Sequence, residues 1–191
     1  MSARDRLLYE LRTHGLVIGE VVLTSGVTAR YLVDAKRAIL RPAGFHALSE
    51  LVAAQAAAWS ATAVGGMTMG ADPIACAALA GGADVKAFFV RKEAKTHGLT
   101  RRIEGPLLDS SDRCMLVEDV VTTGGSTIRA LDAVRDEGHA VCGVLAICDR
   151  LAGGAEAIQA ASGVPYVALT TIDEVYPERP DRSALTRSNT R

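Results

Sequence analysis

The chain has 191 residues, 21 of them Lys or Arg and 22 Asp or Glu, for a net charge of −1; 49% are apolar and only 4% aromatic. That length suits one domain, or one with a small appendage, with a sizeable core built mainly from Ala, Val, Leu and Ile. The balanced charge excludes a general attraction to nucleic acid or to an anionic membrane.

The amino end, MSARDRLLYELRTHG, is charged throughout and lacks the apolar block of a signal peptide. The longest weakly polar stretch, Leu51 to Val64, is interrupted by Gln55, Ser60 and Thr62 and does not read as a membrane span. Cys76, Cys114, Cys142 and Cys148 show no CxxC or zinc-type spacing and each sits in an apolar stretch, so buried free thiols are expected. A reducing cytoplasm is the expected compartment.

Ser2, with Asp5 three residues on, predicts a capped first helix with Leu7, Leu8 and Leu11 as its apolar stripe and Gly15 as its stop. Two extended runs follow, EVVLTSG and YLVDAKRAIL, joined by a Gly-containing turn. Pro42 opens a helix to about Ser60, with Phe45, Leu48, Leu51, Val52 and Gln55 at helical spacing. The chain then alternates. AVGG is extended, and Asp72-Pro73 marks a capped helix start. DVKAFFVR, CMLVEDVV, HAVCGVLAICDR and VPYVAL read as strands, with helices near Thr127 to Glu137 and Ala155 to Ala161. Apolar strands alternating with helices predict an α/β fold: a mostly parallel central sheet flanked by helices, with its ligand site beyond the carboxyl ends of the strands.

Two segments carry chemistry. In MLVEDVVTTGGST a strand ends in Glu118 and Asp119, and Thr122, Thr123, Gly124, Gly125, Ser126 and Thr127 lead into a helix. Hydroxyls and unobstructed N–H groups at a helix start suit a phosphate monoester, and the adjacent carboxylates suit sugar hydroxyls. The lysine of a nucleotide-triphosphate loop is missing, and an ordinary tight strand-to-helix turn is the plain alternative. In VRKEAKTHG a strand runs into Arg91, Lys92, Lys95 and His97. Either this is a solvated charged loop, or it is a cationic flap over a polyanion such as diphosphate. A hydrolase built on Ser126 or a cysteine lacks a partnered His. His14 and His46 read as surface or cap residues, His139 as structural, and Trp59 as packing.

The acidic pair with its TTGGS turn resembles the sugar-diphosphate signature of type I phosphoribosyltransferases. RKxxKxHG ahead of it is similar to the loop of the orotate branch, as are LTSG at Leu23 to Gly26 and CDR at Cys148 to Arg150. The resemblance runs from about Val22 to Arg150. It implies residues 1–40 as an N-terminal helix and hood and 41–176 as the phosphoribosyltransferase core; the end of the chain, 177–191, rich in Pro, Arg, Ser and Thr, reads from its composition as a disordered tail. The resemblance implies that Arg91, Lys92, Lys95 and His97 bind the diphosphate of phosphoribosyl diphosphate, with Lys95, His97 and Asp119 the catalytic residues. Glu118, Asp119, Val120, Val121, Thr122, Thr123, Gly124, Gly125 and Ser126 would hold the ribose 5-phosphate. Thr122 and Arg150 would contact orotate, with Leu32 and Val33 against the base.

The same resemblance implies magnesium carried on the diphosphate substrate, not in a protein site, and a homodimer sharing the 92–104 loop between subunits. It implies no nucleic-acid or membrane partner. Thr24 and Met69 stand where some orotate enzymes carry lysine. Two readings compete: transfer to another base, such as a purine, against which RKxxKxHG argues, and a regulator that senses the sugar diphosphate without catalysis. The position of Asp34 and Lys36 relative to the site is undecided from sequence.

Overall fold

The computed structural model describes residues 1–22, 28–93 and 102–182. Its first helix, α1 (Ala3–Glu10), starts where Ser2 and Asp5 cap each other: the Ser2 hydroxyl accepts from the Asp5 N–H, and the Asp5 carboxylate accepts from the Ser2 N–H. Leu7 and Leu11 are fully buried, and a wider π-helical turn over Leu11–Gly15 ends the element. An antiparallel ribbon follows, β1 (Leu16–Val22) with β2 (Thr28–Val33).

The second extended run is shorter than its sequence suggests. Beyond Val33 the chain forms a short helix, α2 (Lys36–Ile39). Ala35, Ala38 and Ile39 fall on one helical face and all three are fully buried, so a spacing of three and four prevails over strand alternation.

Helix α3 (Pro42–Ala58) begins with its proline at the first position and buries Ala47, Leu48, Val52 and Ala56. It packs beside α1 and α4 (Asp72–Ala80). Asp72 is the first residue of α4, not its cap; its Oδ2 accepts from Thr68 Oγ1 at 2.6 Å, tying the helix start to the preceding loop.

The main sheet has the order β5-β4-β3-β6-β7-β8. Its strands are β3 (Ala63–Met67), β4 (Lys86–Val90), β5 (Ile103–Glu104), β6 (Arg113–Val121), β7 (Ala140–Asp149) and β8 (Tyr166–Thr171). Every pairing is parallel except β4 with β5. On one face Val64, Met115, Val117, Leu145 and Ile147 pack under α1, α3 and α4. On the other, Cys114, Leu116, Val144 and Ala146 pack under α5 (Gly125–Asp136) and α6 (Gly154–Ser162). This is the expected mostly parallel sheet flanked by helices.

The order of the strands positions the site. From β3 the chain crosses by α4 to β4 on one side, whereas β6, on the other side of β3, leads to α5 on the opposite face. The connections therefore diverge at the carboxyl ends of β3 and β6, leaving a crevice there.

One further helix, α7 (Ile172–Val175), follows β8, capped reciprocally by Thr171 and Glu174. Within the segment expected to be a tail, residues 177–182 turn back onto the body: Arg179 is 5% exposed and pairs with Asp173 and Asp181. Residues 183–191 lie outside the described residues.

Cys114 and Cys148 are buried, and burial pushes both thiols up to about 12. Cys142 is half-buried. Cys76 departs from expectation and is exposed, because α4 turns Ile74, Ala75, Ala77 and Ala78 inward and leaves Cys76 on its outer side. Among the described residues no helix is long and apolar enough to cross a membrane.

Candidate active site

Strand alternation along β6 sends Glu118 and Asp119 to opposite faces, continuing Cys114–Leu116 and Met115–Val117 respectively. Glu118 is 5% exposed; the hydroxyls of Ser126 and Thr127, from the first turn of α5, donate to its Oε2. Burial, reinforced by the neighbouring Asp119 charge, raises its pKa to about 7. Glu118 thus braces the start of α5 from beneath.

Asp119 lies on the hood side. Its Oδ2 accepts from Lys36 Nζ at 2.8 Å, and its Oδ1 accepts from the Val120 N–H at 2.8 Å. The loop after β3 closes against the same carboxylate: a Cβ at Gly70 would come within 2.7 Å of Asp119 Oδ1, so only glycine allows that approach. The Thr68–Met69 peptide just before it is cis. Met69, where some orotate enzymes carry lysine, is exposed.

Between strand and helix, Thr122 and Thr123 are exposed and Gly124 takes a left-handed conformation (φ 79°) as the residue capping α5. Gly124 packs against Ile158 and Gly154 of α6, which fixes the turn. The first N–H groups of α5 have no helical carbonyl to bond and open toward the crevice, together with the positive end of the helix dipole. Val121 is buried, and its carbonyl accepts the Arg150 N–H at 2.8 Å, joining the ends of β6 and β7.

Arg91 and Lys92, beyond the end of β4, are exposed and line a cavity of about 500 Å³ with Thr68, Phe89, Glu93 and Glu104. Arg91 is 3.5 Å from the Glu104 carboxylate. Thr24, Lys95 and His97 lie outside the described residues.

Arg150 emerges from β7 toward the hood. Its Nη2 donates to Tyr31 Oη at 3.0 Å, and its guanidinium carbon lies 4.8 Å from the Tyr31 ring centre. The hood residue that meets Arg150 is therefore Tyr31. Val33 lies on the same side of β2 and is as buried as Tyr31, and Leu32, half-buried, falls on the opposite side. Asp149 is also buried, accepting from Tyr166 Oη and the Leu151 N–H.

The structure thus gathers Glu118, Asp119, the 122–126 turn, Lys36 and the loop at Gly70 around one crevice. Arg91 and Lys92 stand beyond one adjoining strand, and Arg150 with Tyr31 beyond the other. Sequence reasoning passed over Tyr31 and left Lys36 undecided. The one available signal for Lys36 was a basic residue two positions after Asp34, straight after an apolar strand.

A mostly parallel sheet of this order, with an acidic pair and a glycine-containing turn at its switch point, is the type I phosphoribosyltransferase fold. No family model matches the chain. An orotate phosphoribosyltransferase of Corynebacterium glutamicum (strain R) is 43% identical over 176 residues, covering 92% of this chain and 95% of the relative. The crystal structure of Mycobacterium tuberculosis H37Rv orotate phosphoribosyltransferase in complex with Fe(III) dicitrate matches with a TM-score of 0.82 at 39% identity, covering 91% of this chain and 99% of that one. Its complex with 5-phospho-alpha-D-ribosyl 1-diphosphate matches with a TM-score of 0.77 at 35% identity, over 91% and 98% of the two chains. The chain belongs to the orotate phosphoribosyltransferase family.

Proposed function

We propose that this enzyme transfers the ribose 5-phosphate of 5-phospho-α-D-ribose 1-diphosphate to orotate, giving orotidine 5′-phosphate and diphosphate in pyrimidine nucleotide synthesis. The observation that carries the reading is the joining, at one switch point, of the Glu118–Asp119 pair to the 122–126 turn, with Arg150 on the neighbouring strand.

The 5-phosphate sits on residues Thr122 to Ser126 at the start of α5, where N–H groups and the helix dipole favour an anion. Asp119 faces the ribose side, and Glu118, on the other face of β6, holds the start of α5 beneath the turn. In the reaction the bond from the anomeric carbon to diphosphate breaks with its electron pair leaving on oxygen, and a ring nitrogen of orotate, having given up its proton to solvent, forms the new bond. Positive charge grows on the ribose, as in other glycosyl transfers, so the Asp119 carboxylate beside it is favourable. Arg91, Lys92, Lys95 and His97 meet the charge developing on the diphosphate. The ring nitrogen of orotate is acidic enough that no strong general base is assigned.

Magnesium would ride on the diphosphate, since this ion keeps waters and binds through substrate phosphates with one or two carboxylates. Asp119 would be the carboxylate to share it, and the ion would supply positive charge against the departing diphosphate.

Arg150 takes the carboxylate or carbonyl edge of orotate, with Thr122 on its other side. The chain acts as a homodimer in which the 92–104 loop lends Lys95 and His97 to the neighbouring site; the family resemblance supports this. Four free thiols suit a reducing cytoplasm.

The direct test follows orotate absorbance on adding enzyme, magnesium and phosphoribosyl diphosphate. Loss of absorbance with the native protein, much slower with Lys95→Ala, is expected. Tight binding of the sugar diphosphate without turnover would remove the enzyme assignment. Mixed Lys95→Ala and Arg150→Ala subunits should regain activity that neither has alone if the loop is shared.

A further inference from the structure

Resting on that reading of Arg150, we propose that Asp181 is a positioning residue for the base, acting through Tyr31, and that residues 177–182 form a wall of the base site. Beside the active-site crevice, Ala29, Arg30, Tyr31, Arg150, Pro180 and Asp181 line a cavity of about 340 Å³. Hood, β7 and the segment after α7 thus meet at one opening.

The polar contacts there form a chain with a definite direction. Tyr31 Oη is 3.0 Å from Asp181 Oδ2 and 3.2 Å from Oδ1, and 3.0 Å from Arg150 Nη2. A phenol has one proton, whereas a guanidinium can only donate and an ionised carboxylate can only accept. Tyr31 therefore donates to Asp181 and accepts from Arg150. Asp181 fixes the direction of the phenol, and the phenol fixes one edge of the guanidinium. Arg150 Nε is buried without a hydrogen-bond partner among the described residues, so the contact through Nη2 to Tyr31 is what orients the guanidinium.

The carboxylate at the head of this relay is itself held. Arg179 Nη1 lies 3.1 Å from Asp181 Oδ1, and Arg179 also donates twice to Asp173 Oδ1, at 3.0 and 2.6 Å. The Arg179 side chain is 3% exposed, and the Tyr176 ring meets Tyr31 edge-on at 5.3 Å. Arg179 also offsets the negative charge that Asp181 would otherwise set against an anionic base.

Asp181, whose side chain is 49% exposed, is tested by Asp181→Ala without threatening the core. Losing the relay should raise KM for orotate about fivefold, the range expected for one hydrogen bond, while KM for phosphoribosyl diphosphate moves by less than about twofold. Asp181→Asn, whose amide oxygen still accepts the phenol proton, should restore much of the loss. Tyr31→Phe should match Asp181→Ala, and the double variant should be no worse than either alone. An unchanged orotate KM in Asp181→Ala, or equal changes for both substrates with a lowered Tm, overturns the inference. If the native chain does not turn over orotate at all, the functional reading fails first, and this inference with it.

Discussion

Lys36 and Asp119, 83 residues apart, are joined by a 2.8 Å hydrogen bond that pins the hood to the end of β6. Lys36 Nζ also lies 3.2 Å from Asp34 Oδ1. Burial works against its charge, but the bonds to Asp119 and Asp34 outweigh it and hold the ammonium above its ordinary pKa. The ammonium stays charged across neutral pH and holds the Asp119 carboxylate in one orientation.

Replacing Lys36 with methionine keeps the apolar stem and removes the donor. An Asp119 carboxylate left free to turn should lower kcat/KM for orotate roughly 10- to 100-fold, the scale of a misplaced active-site group. Tm should change little, since the Lys36 side chain is 40% exposed and such pairs contribute little to folding. Wild-type kinetics in Lys36→Met would show that Asp119 needs no such support.

Gly70→Ala approaches the same carboxylate from the other side. Its Cβ, 2.7 Å from Asp119 Oδ1, must displace the side chain from Lys36. We expect kcat/KM to fall about tenfold, and the double variant with Lys36→Met to fall by less than the product of the two losses. Fully multiplicative losses would mean that the two residues act independently.

How far the sequence reveals this arrangement depends on the range of the contacts. MLVEDVVTTGGST is legible because strand, acids, turn and helix start are consecutive, and each obeys a local rule of alternation or capping. The hood is less so: Tyr31 meets Asp181 across 150 positions, and nothing local in YLVDAKRAIL marks that pairing. The same run conceals α2, because its apolar residues suit a strand until burial of Ala35, Ala38 and Ile39 selects the helical face. The turn at 177–182 reads as a polar tail because its anchor, Arg179, is ordinarily a surface residue and is buried here only by its pairing with Asp173 and Asp181.

Gly124→Ala tests the turn between β6 and α5 and its proposed hold on the 5-phosphate. The added Cβ would sit at φ 79°, 2.9 Å from Ile158 Cγ1 and 3.0 Å from the Gly154 carbonyl oxygen. A loss of about 1–3 kcal/mol in urea unfolding is expected, together with weaker binding of the sugar diphosphate by calorimetry. Native stability in this variant would show that α6 yields readily and that the turn is not braced by it.

Glu118 gives the last prediction, in which the sign is decisive. Its folded-state pKa, raised by burial to about 7 from 4.5, means that the folded chain keeps a proton which the unfolded chain releases at lower pH. Its contribution to stability is therefore full below about pH 4.5 and is lost progressively as pH rises through about 7. Glu118→Gln carries no titrating group, so the difference in stability between native and variant should move in favour of the variant between pH 5 and pH 7.5, on the scale of about 1 kcal/mol or more. Urea unfolding of both proteins at a series of pH values checks this. A difference independent of pH would place the Glu118 carboxyl at its ordinary pKa, ionised beneath α5 with Ser126 and Thr127 alone compensating its charge.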